Sequence, residues 1–341
     1  MKRSLLTRAL AGLGAAALLV ASAACAEDKQ VDPPVAGGSD PVTVTLAFSA
    51  WPGWFPWQVA QEKGLFAKNN VKVDLKYFDS YTDSLTALST GKVDANSQTL
   101  NDTIGSLSGG AKQTIVLVND NSSGNDQIIA KPGINTVADL KGKTVAVEQY
   151  TVDHYLLLLA LKKAGLTEKD ITLKPLLTDA AAAAFAGGQV DAVGAFAPFT
   201  TTALALPGSK AIATSKDFPG AIPDHLVFTA DFVKAHPVAV QAVVDTWFDT
   251  LEWIAANKAE AISIMAKKGG VSDADYAAYD AGTSIFTRDQ NLAAFTPGST
   301  PANLNYQAEQ IAQFLVDTGL APSKPSLDGL FNDAFVKAAT G

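Results

Sequence analysis

Three tryptophans within seven residues are the clearest sign of binding chemistry in this sequence. Trp51, Trp54 and Trp57 follow the strand-like run from Val42 to Phe48, and prolines and a glycine break the backbone between them. In an open α/β sheet, ligands are held by the loop that follows the carboxyl end of a strand. Aromatic rings in such a loop form a pocket wall and attract cations, although each ring could equally be a core residue. We therefore predict a ligand site at this loop.

Polar residues follow three other predicted strands in the same way. Residues 97–99 end one strand, the polar loop 119–126 follows the apolar run 114–118, and residues 148–151 stand between a strand and a helix. Backbone amides at a helix start can hold a polar or anionic group. Asp, Asn and Ser also favour turns and helix caps for purely local reasons, so each residue taken singly has a structural explanation as well.

The order of strands and helices predicts the fold class. After Val42 the apolar patterns alternate between strand and helix with short connections, which predicts a parallel, doubly wound sheet. A second α/β unit begins at Gln127. From Asp231 the pattern is helical almost to the end of the chain, and it includes one long helix from Phe232 to Asn257. We therefore predict an α/β protein with two units.

The first 40 residues have the composition of a leader and a tether. Residues 1–25 combine basic residues, an apolar run and small residues, as in a secretory signal peptide. Cys25, the only cysteine, ends this segment and could accept a lipid after cleavage; the alternative is ordinary cleavage at Ala21-Ser22-Ala23. Residues 26–40 are polar and rich in proline and glycine, which predicts a flexible tether. We expect an extracytoplasmic protein that is secreted and lipid-anchored to the cell membrane, or periplasmic.

The charge balance limits the classes of partner. Loss of the leader would remove three of the 26 basic side chains, which leaves 23 against 34 acidic ones and a net charge of −11. Such a chain is unsuited to binding nucleic acid. Arg288 is the only arginine after the leader, so bidentate arginine recognition of a carboxylate, sulfonate or phosphate is not expected. An anion would have to be held by lysine, backbone amides or helix N-termini.

Four segments, taken in order, resemble one known family. They are QVAQEKGLFAKNNVKV from Gln58, SLTALSTGKVDAN from Ser84, INTVADLKGKTVAV from Ile134 and GGQVDAV from Gly187. Together with the leader and the aromatic loop, they look like the substrate-binding proteins of ABC importers in the nitrate/sulfonate/taurine group, the NMT1/THI5-like proteins. The resemblance covers nearly all of the chain after the leader and is specific for the family rather than for the ligand.

The resemblance implies a periplasmic-binding-protein fold of type II. Two doubly wound α/β lobes would be joined by two crossover strands, and the ligand would bind in the cleft between them. Carried over, lobe 1 is discontinuous, with residues 41–127 and 229–341, and lobe 2 comprises residues 128–228. The crossings are expected near residues 127–131 and 225–229, and closure of the lobes on the ligand would be the mechanism.

The resemblance also implies a set of ligand-binding residues at the cleft. Carried over by position, they are Trp51, Trp54, Trp57, Gln98, Thr99, Asp120, Asn121, Ser122, Asp126, Glu148, Tyr150, Thr151, His154, Phe196 and Pro198. Family members often have tryptophan at the position of Phe196. A helix-start role is the simpler interpretation of Asp153.

The ligand class is a hypothesis from composition. Aromatic residues, several carboxylates and almost no arginine favour a small nitrogenous cation or amide, such as a guanidine-like, urea-like or amidine-like compound or a pyrimidine precursor. The alternative is a small oxyanion: nitrate, taurine or another aliphatic sulfonate, or bicarbonate. We expect a monomer that works with the membrane permease subunits of an ABC importer.

An enzyme of the same fold is a remote alternative. The resemblance extends to a pyrimidine-forming enzyme that uses a lysine-bound cofactor and a cysteine cluster, whereas this chain has a single cysteine. The three histidines, His154, His225 and His236, lack the close spacing of a zinc site. We therefore predict no catalytic residues, no cofactor and no metal.

Overall fold

The structure, a computed structural model, describes residues 42–339. The leader, the tether and the expected lipidation site at Cys25 lie outside the described residues. No helix within residues 42–339 is both long enough and apolar enough to cross a membrane.

Two separate β-sheets organise the described chain. The first contains β1 (Thr43–Phe48), β2 (Lys72–Tyr77), β3 (Ala95–Thr99), β4 (Gln113–Ser122), β10 (Pro223–Thr229) and β11 (Thr283–Ile285), in the spatial order β11-β4-β10-β3-β1-β2. The second contains β5 (Asp126–Ala130), β6 (Thr144–Val147), β7 (Thr172–Pro175), β8 (Ala192–Phe196) and β9 (Lys210–Thr214), in the order β7-β6-β8-β5-β9. The predicted α/β class with two units is confirmed.

Fourteen α-helices within residues 42–339 cover the sheets and connect the strands. They are α1 (Pro56–Glu62), α2 (Leu65–Lys68), α3 (Tyr81–Ser89), α4 (Leu100–Ser108), α5 (Val152–Lys163), α6 (Thr178–Ala186), α7 (Phe199–Leu204), α8 (Ala230–Ala235), α9 (Pro237–Ala256), α10 (Lys258–Gly269), α11 (Asp273–Ala278), α12 (Arg288–Phe295), α13 (Leu304–Asp317) and α14 (Ala334–Ala338). The single helix predicted from Phe232 to Asn257 is wrong, because His236 leaves the helical conformation before Pro237 and a new helix starts at the proline.

Neither sheet is wholly parallel, which corrects the prediction from sequence. In the first sheet β1 is parallel to β2 and β3, but β10 is antiparallel to both β3 and β4. In the second, β6 is parallel to β7 and β8, but β5 is antiparallel to β8 and β9. β5 and β10 are the strands that the chain enters directly from the other sheet. A short direct entry of this kind does not include the helical crossover that would keep a strand parallel to its neighbour.

Two short connections carry the chain between the sheets. The first spans residues 123–125, between β4 and β5, and the second spans residues 215–222, between β9 and β10. They are fastened to each other, because Ser215 Oγ accepts a hydrogen bond from the Gly124 amide at 2.7 Å and lies 2.7 Å from Ser122 Oγ. The lobe boundaries given above stay a prediction, since strand pairing assigns strands to sheets and not residues to rigid bodies.

Candidate functional site

A small, partly open cavity lies where the ends of strands from both sheets meet. Its volume is about 10 Å³, room for roughly one water molecule, and its walls are Trp51, Trp54, Tyr81, Thr99, Asp126, Val152, Phe196, Ile222 and Asp224. Several of these residues stand at or just after the carboxyl ends of β1, β3 and β8 or at the start of α5. Ligands of open α/β sheets bind in this position. The cavity is therefore the candidate site.

Aromatic rings from both sheets form one wall of the cavity. Phe196, at the end of β8, lies edge-on to Trp51 and to Tyr81, with ring centroids 6.4 Å and 6.1 Å apart. Trp54 in turn contacts Tyr81, with centroids 5.5 Å apart. All four side chains are buried, and Trp54 Nε1 is buried without a hydrogen-bond partner. The aromatic loop thus brings an apolar surface to the cavity, and one of its wall residues, Trp54, has an indole N–H without a partner in the protein.

A hydrogen bond to Asp120 holds the aromatic loop in place. Its Oδ1 accepts a hydrogen bond of 3.0 Å from Trp51 Nε1, and the whole side chain is buried. Gly53 makes this approach possible, because a Cβ at that position would lie 1.9 Å from Asp120 Oδ2. The glycine between the tryptophans is therefore required by the close contact of the loop backbone with a buried carboxyl group.

Asp120 and Asp224 form a pair of carboxyl groups beside the cavity. They occupy paired positions on the antiparallel strands β4 and β10, and their side chains are within hydrogen-bonding reach of each other. Burial raises the pKa of both carboxyl groups, and their mutual repulsion when ionised raises the pKa of Asp224 further. Two buried carboxyl groups this close hold at least one proton at neutral pH.

Three further aspartates extend this acidic cluster. Burial raises the pKa of Asp126, in the cavity wall, to about 7 and the pKa of Asp102, at the start of α4, also to about 7. The backbone N–H of Val152, at the start of α5, lies near the carboxyl group of Asp102 and offsets part of this rise in its pKa. Burial also raises the pKa of Asp153, and the charge of Glu148 adds to that effect. Asp102 and Asp126 can change protonation near neutral pH, so each can either donate to an anion or pair with a cation.

Within residues 42–339, no lysine, arginine or histidine side chain lines the cavity. Nor do the described residues contain a group of three or more His, Cys, Asp or Glu side chains arranged to hold a metal ion. The donors available to an oxyanion are therefore the indole N–H of Trp54, protonated carboxyl groups and backbone amides.

The structure separates several residues that the sequence predicted to lie together. Trp57 is part of the core: its ring packs on Trp247 at 4.6 Å, and its Nε1 donates to Ser97 Oγ at 2.9 Å. Gln98 faces the opposite side of its strand from Thr99 and donates to the buried Thr103 hydroxyl at 2.9 Å. Neither Trp57 nor Gln98 lines the cavity.

The predicted residues of the polar loop are also divided. Asp120 and Asp126 belong to the cavity and its acidic cluster, as described above. Asn121 instead donates to the backbone oxygen of Ser122, and the Ser122 hydroxyl is engaged with Ser215 in the second connection. Alternation along β4, which continues through Ser122, explains Asn121, because its side chain points to the face opposite that of Asp120. Ser122 is on the same face as Asp120, and its hydroxyl lies within hydrogen-bonding reach of Asp126.

The predicted residues of the second sheet have mostly local partners. Thr151 donates to the Glu148 backbone oxygen at 2.8 Å, and His154 Nε2 lies 2.9 Å from Glu168. Tyr150 has a left-handed backbone, with φ of 68°, and its side chain is 65% exposed. Pro198 is buried at the start of α7, outside the cavity wall. Phe196 alone among the predicted residues 148–198 lines the cavity.

Sequence reasoning missed Tyr81, Val152, Ile222 and Asp224 in the cavity wall, and it missed Asp102 in the acidic cluster. Tyr81 and Val152 start helices, so each had a satisfactory local explanation. Asp224 could be placed only with the topology known, because an antiparallel β10 brings its first residues to the edge where the parallel strands end. The acidic Asp224 shortly before the apolar residues 226–228 was the one available signal.

Comparisons with known proteins agree with this architecture. The taurine-binding periplasmic protein of Escherichia coli (strain K12) is 28% identical over 291 residues, which cover 83% of this chain and 88% of that protein. The alkanesulfonate-binding protein SsuA from Xanthomonas axonopodis pv. citri, in a structure bound to MOPS, has a TM-score of 0.74 at 22% identity and covers 87% of this chain and 100% of that one. The desulfurization enzyme DSZB shares the fold with a TM-score of 0.62 at 17% identity, covering 86% and 97%. The model of the NMT1-like family matches residues 37–268. This chain belongs to the NMT1-like family and has the fold of the periplasmic binding proteins.

Proposed function

We propose that this protein is the solute-binding protein of an ABC importer, and that it acts outside the cytoplasm by enclosing a small polar solute in the cavity. Membership of the NMT1-like family supports this role, and so does a small cavity walled by residues from both sheets, which has to widen to admit a solute. The fold alone does not decide function, since an enzyme shares it. The chain would deliver its solute to the permease subunits when the two halves of the molecule, each built on one of the two sheets, separate.

The solute we propose is a small sulfonate, and within that class an aminosulfonate such as taurine. The names of the relatives support an oxyanion better than the purely nitrogenous solute first suggested by composition. The sulfonate oxygens would accept hydrogen bonds from Trp54 Nε1 and from protonated carboxyl groups of the acidic cluster. A carboxylic acid kept neutral by burial is a good donor to an anion.

An ammonium group on the same solute explains the rest of the cavity. It would be attracted by the aromatic wall and would pair with the carboxylate of Asp126 or Asp224 once that group is ionised. Binding would then release protons from the cluster, because an ionised carboxylate next to a cation is favoured over the neutral form. The single observation that supports this proposal is the meeting of a free indole donor and buried carboxyl groups in one cavity.

A nitrogenous cation without an oxyanion is the second candidate. It is favoured by one specific observation, which is that the cavity wall within residues 42–339 has two aspartates and no basic side chain. Guanidinium or a small alkylammonium would pair with these carboxylates and lie against the aromatic rings. In that case the relatives' solutes would not be a guide to this chain.

Three matched compounds separate the two candidates. Taurine carries both charges, ethanesulfonate lacks the ammonium group and ethylammonium lacks the sulfonate. Isothermal titration of the full chain should show taurine binding at least tenfold more tightly than either of the other two. Guanidinium or ethylammonium binding with taurine and ethanesulfonate silent would replace the proposal with the second candidate. Turnover of any of these compounds would show an enzyme instead.

A further inference from the structure

The carboxylate of Glu148 joins the two halves of the molecule. It lies at the end of β6, in the second sheet, and is 4% exposed. Its Oε1 accepts hydrogen bonds from the Thr82 amide at 3.1 Å and from the Thr82 hydroxyl at 2.5 Å. Thr82 lies in the first turn of α3, which packs on β1 and β3 of the first sheet. One oxygen of Glu148 is thus held by the half of the molecule to which Glu148 does not belong.

The second carboxylate oxygen of Glu148 accepts hydrogen bonds from the half of the molecule to which Glu148 belongs. Oε2 of Glu148 accepts from the Thr178 amide at 3.2 Å and from the Thr178 hydroxyl at 2.7 Å. Thr178 begins α6, which packs on β6 and β8. A single carboxylate therefore caps the N-termini of two helices, one from each half. Negative charge is favourable at both places, because unpaired amides and the helix dipole meet there.

These contacts assign Glu148 a role different from that of a solute ligand. Four donors already occupy its two oxygens, and it does not line the cavity wall beside Trp54 and Asp126. Thr178 Oγ1 also lies 2.6 Å from Asp153 Oδ2, so a proton on Asp153 lets that carboxyl group donate to the hydroxyl, which in turn donates to Glu148. The capped pair of helices is thereby linked to the acidic cluster.

A second contact between the halves lies beside the connections. Thr201, in α7, is hydrogen-bonded to the Tyr279 hydroxyl at 2.7 Å. The Tyr279 backbone oxygen accepts from Asn125 Nδ2 at 2.8 Å, and Asn125 belongs to the first connection. A contact so close to the connecting segment moves little when the halves separate. The contact between Thr82 and Glu148 also joins the two halves, but it lies away from both connections. Separation of the halves therefore has to break it.

We propose that Glu148 is the latch of the cleft: it holds the two halves closed through Thr82 and slows the escape of the solute without touching it. This inference depends on the proposed function only for the identity of the solute. All four hydrogen bonds are internal to the protein, so the latch forms in the free protein as well as in the complex.

Hydrogen exchange at the Thr82 amide tests the latch directly. In the full chain without solute, this amide should exchange at least tenfold more slowly in the wild type than in Glu148→Gln, whose amide side chain cannot accept from all four donors. Thr82→Val, which removes the hydroxyl donor, should speed exchange in the first turn of α3 in the same direction. Thr86→Val, one turn further along α3 at an exposed position, is the matched control and should have no effect.

Two outcomes would overturn the latch. One is rapid exchange at Thr82 in the wild type; the other is a rate unchanged by Glu148→Gln while the core amide of Leu117 stays protected. If the amide of Leu117 also exchanges rapidly in Glu148→Gln, the substitution has unfolded the protein. The exchange rate at the start of α3 in Thr82→Val then decides whether the latch exists. With taurine bound, Glu148→Gln should raise the dissociation rate at least tenfold and leave the association rate within threefold. If taurine binds neither protein, the proposed function fails, and the exchange rates alone decide the latch.

Discussion

Asp120 and Asp224 lie at paired positions on neighbouring antiparallel strands, with two buried carboxyl groups close enough to share a proton. One of them holds the aromatic loop through Trp51, and the other lines the cavity. The pair therefore couples the shape of the site to its protonation. Most of the chemistry that we expect from this protein depends on buried acids of this kind rather than on basic residues.

The stability of the free protein should fall as the pH rises. The folded-state pKa of Asp102 and Asp126 is about 7, above the value of about 3.9 for an unfolded aspartate. Between these values the folded protein binds more protons than the unfolded chain, so each group costs up to about 1.4 kcal/mol of unfolding free energy per pH unit. Urea unfolding at pH 5, 6 and 7 should show this decline. Asp126→Asn should make the decline shallower, and a rise in stability over the same range would contradict the buried cluster.

Asp126→Asn should separate the two charges of an aminosulfonate. It removes a carboxylate that pairs with the ammonium group, so the affinity for taurine should fall by roughly 10- to 100-fold, the usual cost of about 1.4 to 3 kcal/mol for a charged hydrogen bond. Ethanesulfonate, which has no ammonium group, should bind the variant as well as it binds the wild type. Titration calorimetry measures both. Equal losses for the two compounds would show that Asp126 supports the cavity without contacting the cation.

Gly53→Ala should disturb the aromatic loop selectively. The new Cβ would meet the Asp120 carboxyl group at 1.9 Å, so either the loop backbone or the carboxyl group must shift and weaken the bond to Trp51. We expect a loss of about 1 to 3 kcal/mol in unfolding free energy, the usual range for overpacking a core, together with weaker solute binding. Gly105→Ala is the matched control: it lies in α4 with open space around it and should stabilise by about 0.5 to 1 kcal/mol. Similar behaviour of both variants would refute the close contact.

Two tryptophans of the same loop should respond in opposite ways to substitution. Trp54→Phe removes an indole N–H that has no partner in the protein, so it should lower solute affinity tenfold or more with a modest effect on stability. Trp57→Phe removes a core hydrogen bond to Ser97 and the packing against Trp247, so it should cost about 2 to 4 kcal/mol of stability and leave affinity unchanged. Urea unfolding and calorimetry on both variants check this contrast. A loss of affinity in Trp57→Phe at constant stability would place that residue in the site.

Sequence reasoning recovered the class of the fold because apolar periodicity and turn residues are local properties. The family resemblance is confirmed by the family match, and the two-unit α/β architecture is confirmed by the two sheets. The antiparallel direction of β5 and β10 could not be predicted in the same way. The apolar pattern of a strand carries no information about which sheet the preceding strand belongs to. The break before Pro237 was readable from local chemistry but was overlooked.

The site was harder to predict than the fold, and Trp54 and Trp57 illustrate the reason. They are three residues apart on one loop, yet one lines the cavity and the other packs in the core, because α1 begins between them and turns their side chains apart. Asp224 and Tyr81 come from distant parts of the sequence and meet only through β10 and α3. Whether the predicted residues that do line the cavity contact the solute stays a prediction.

The most direct measurement is a crystal structure of the chain grown with taurine. Our account predicts one taurine in the cavity, with its sulfonate within hydrogen-bonding distance of Trp54 Nε1 and its ammonium group within that distance of Asp126 or Asp224. The carboxylate of Glu148 should still bridge Thr82 and Thr178. Taurine bound elsewhere, or a cavity that stays without it at millimolar concentration, would contradict the account.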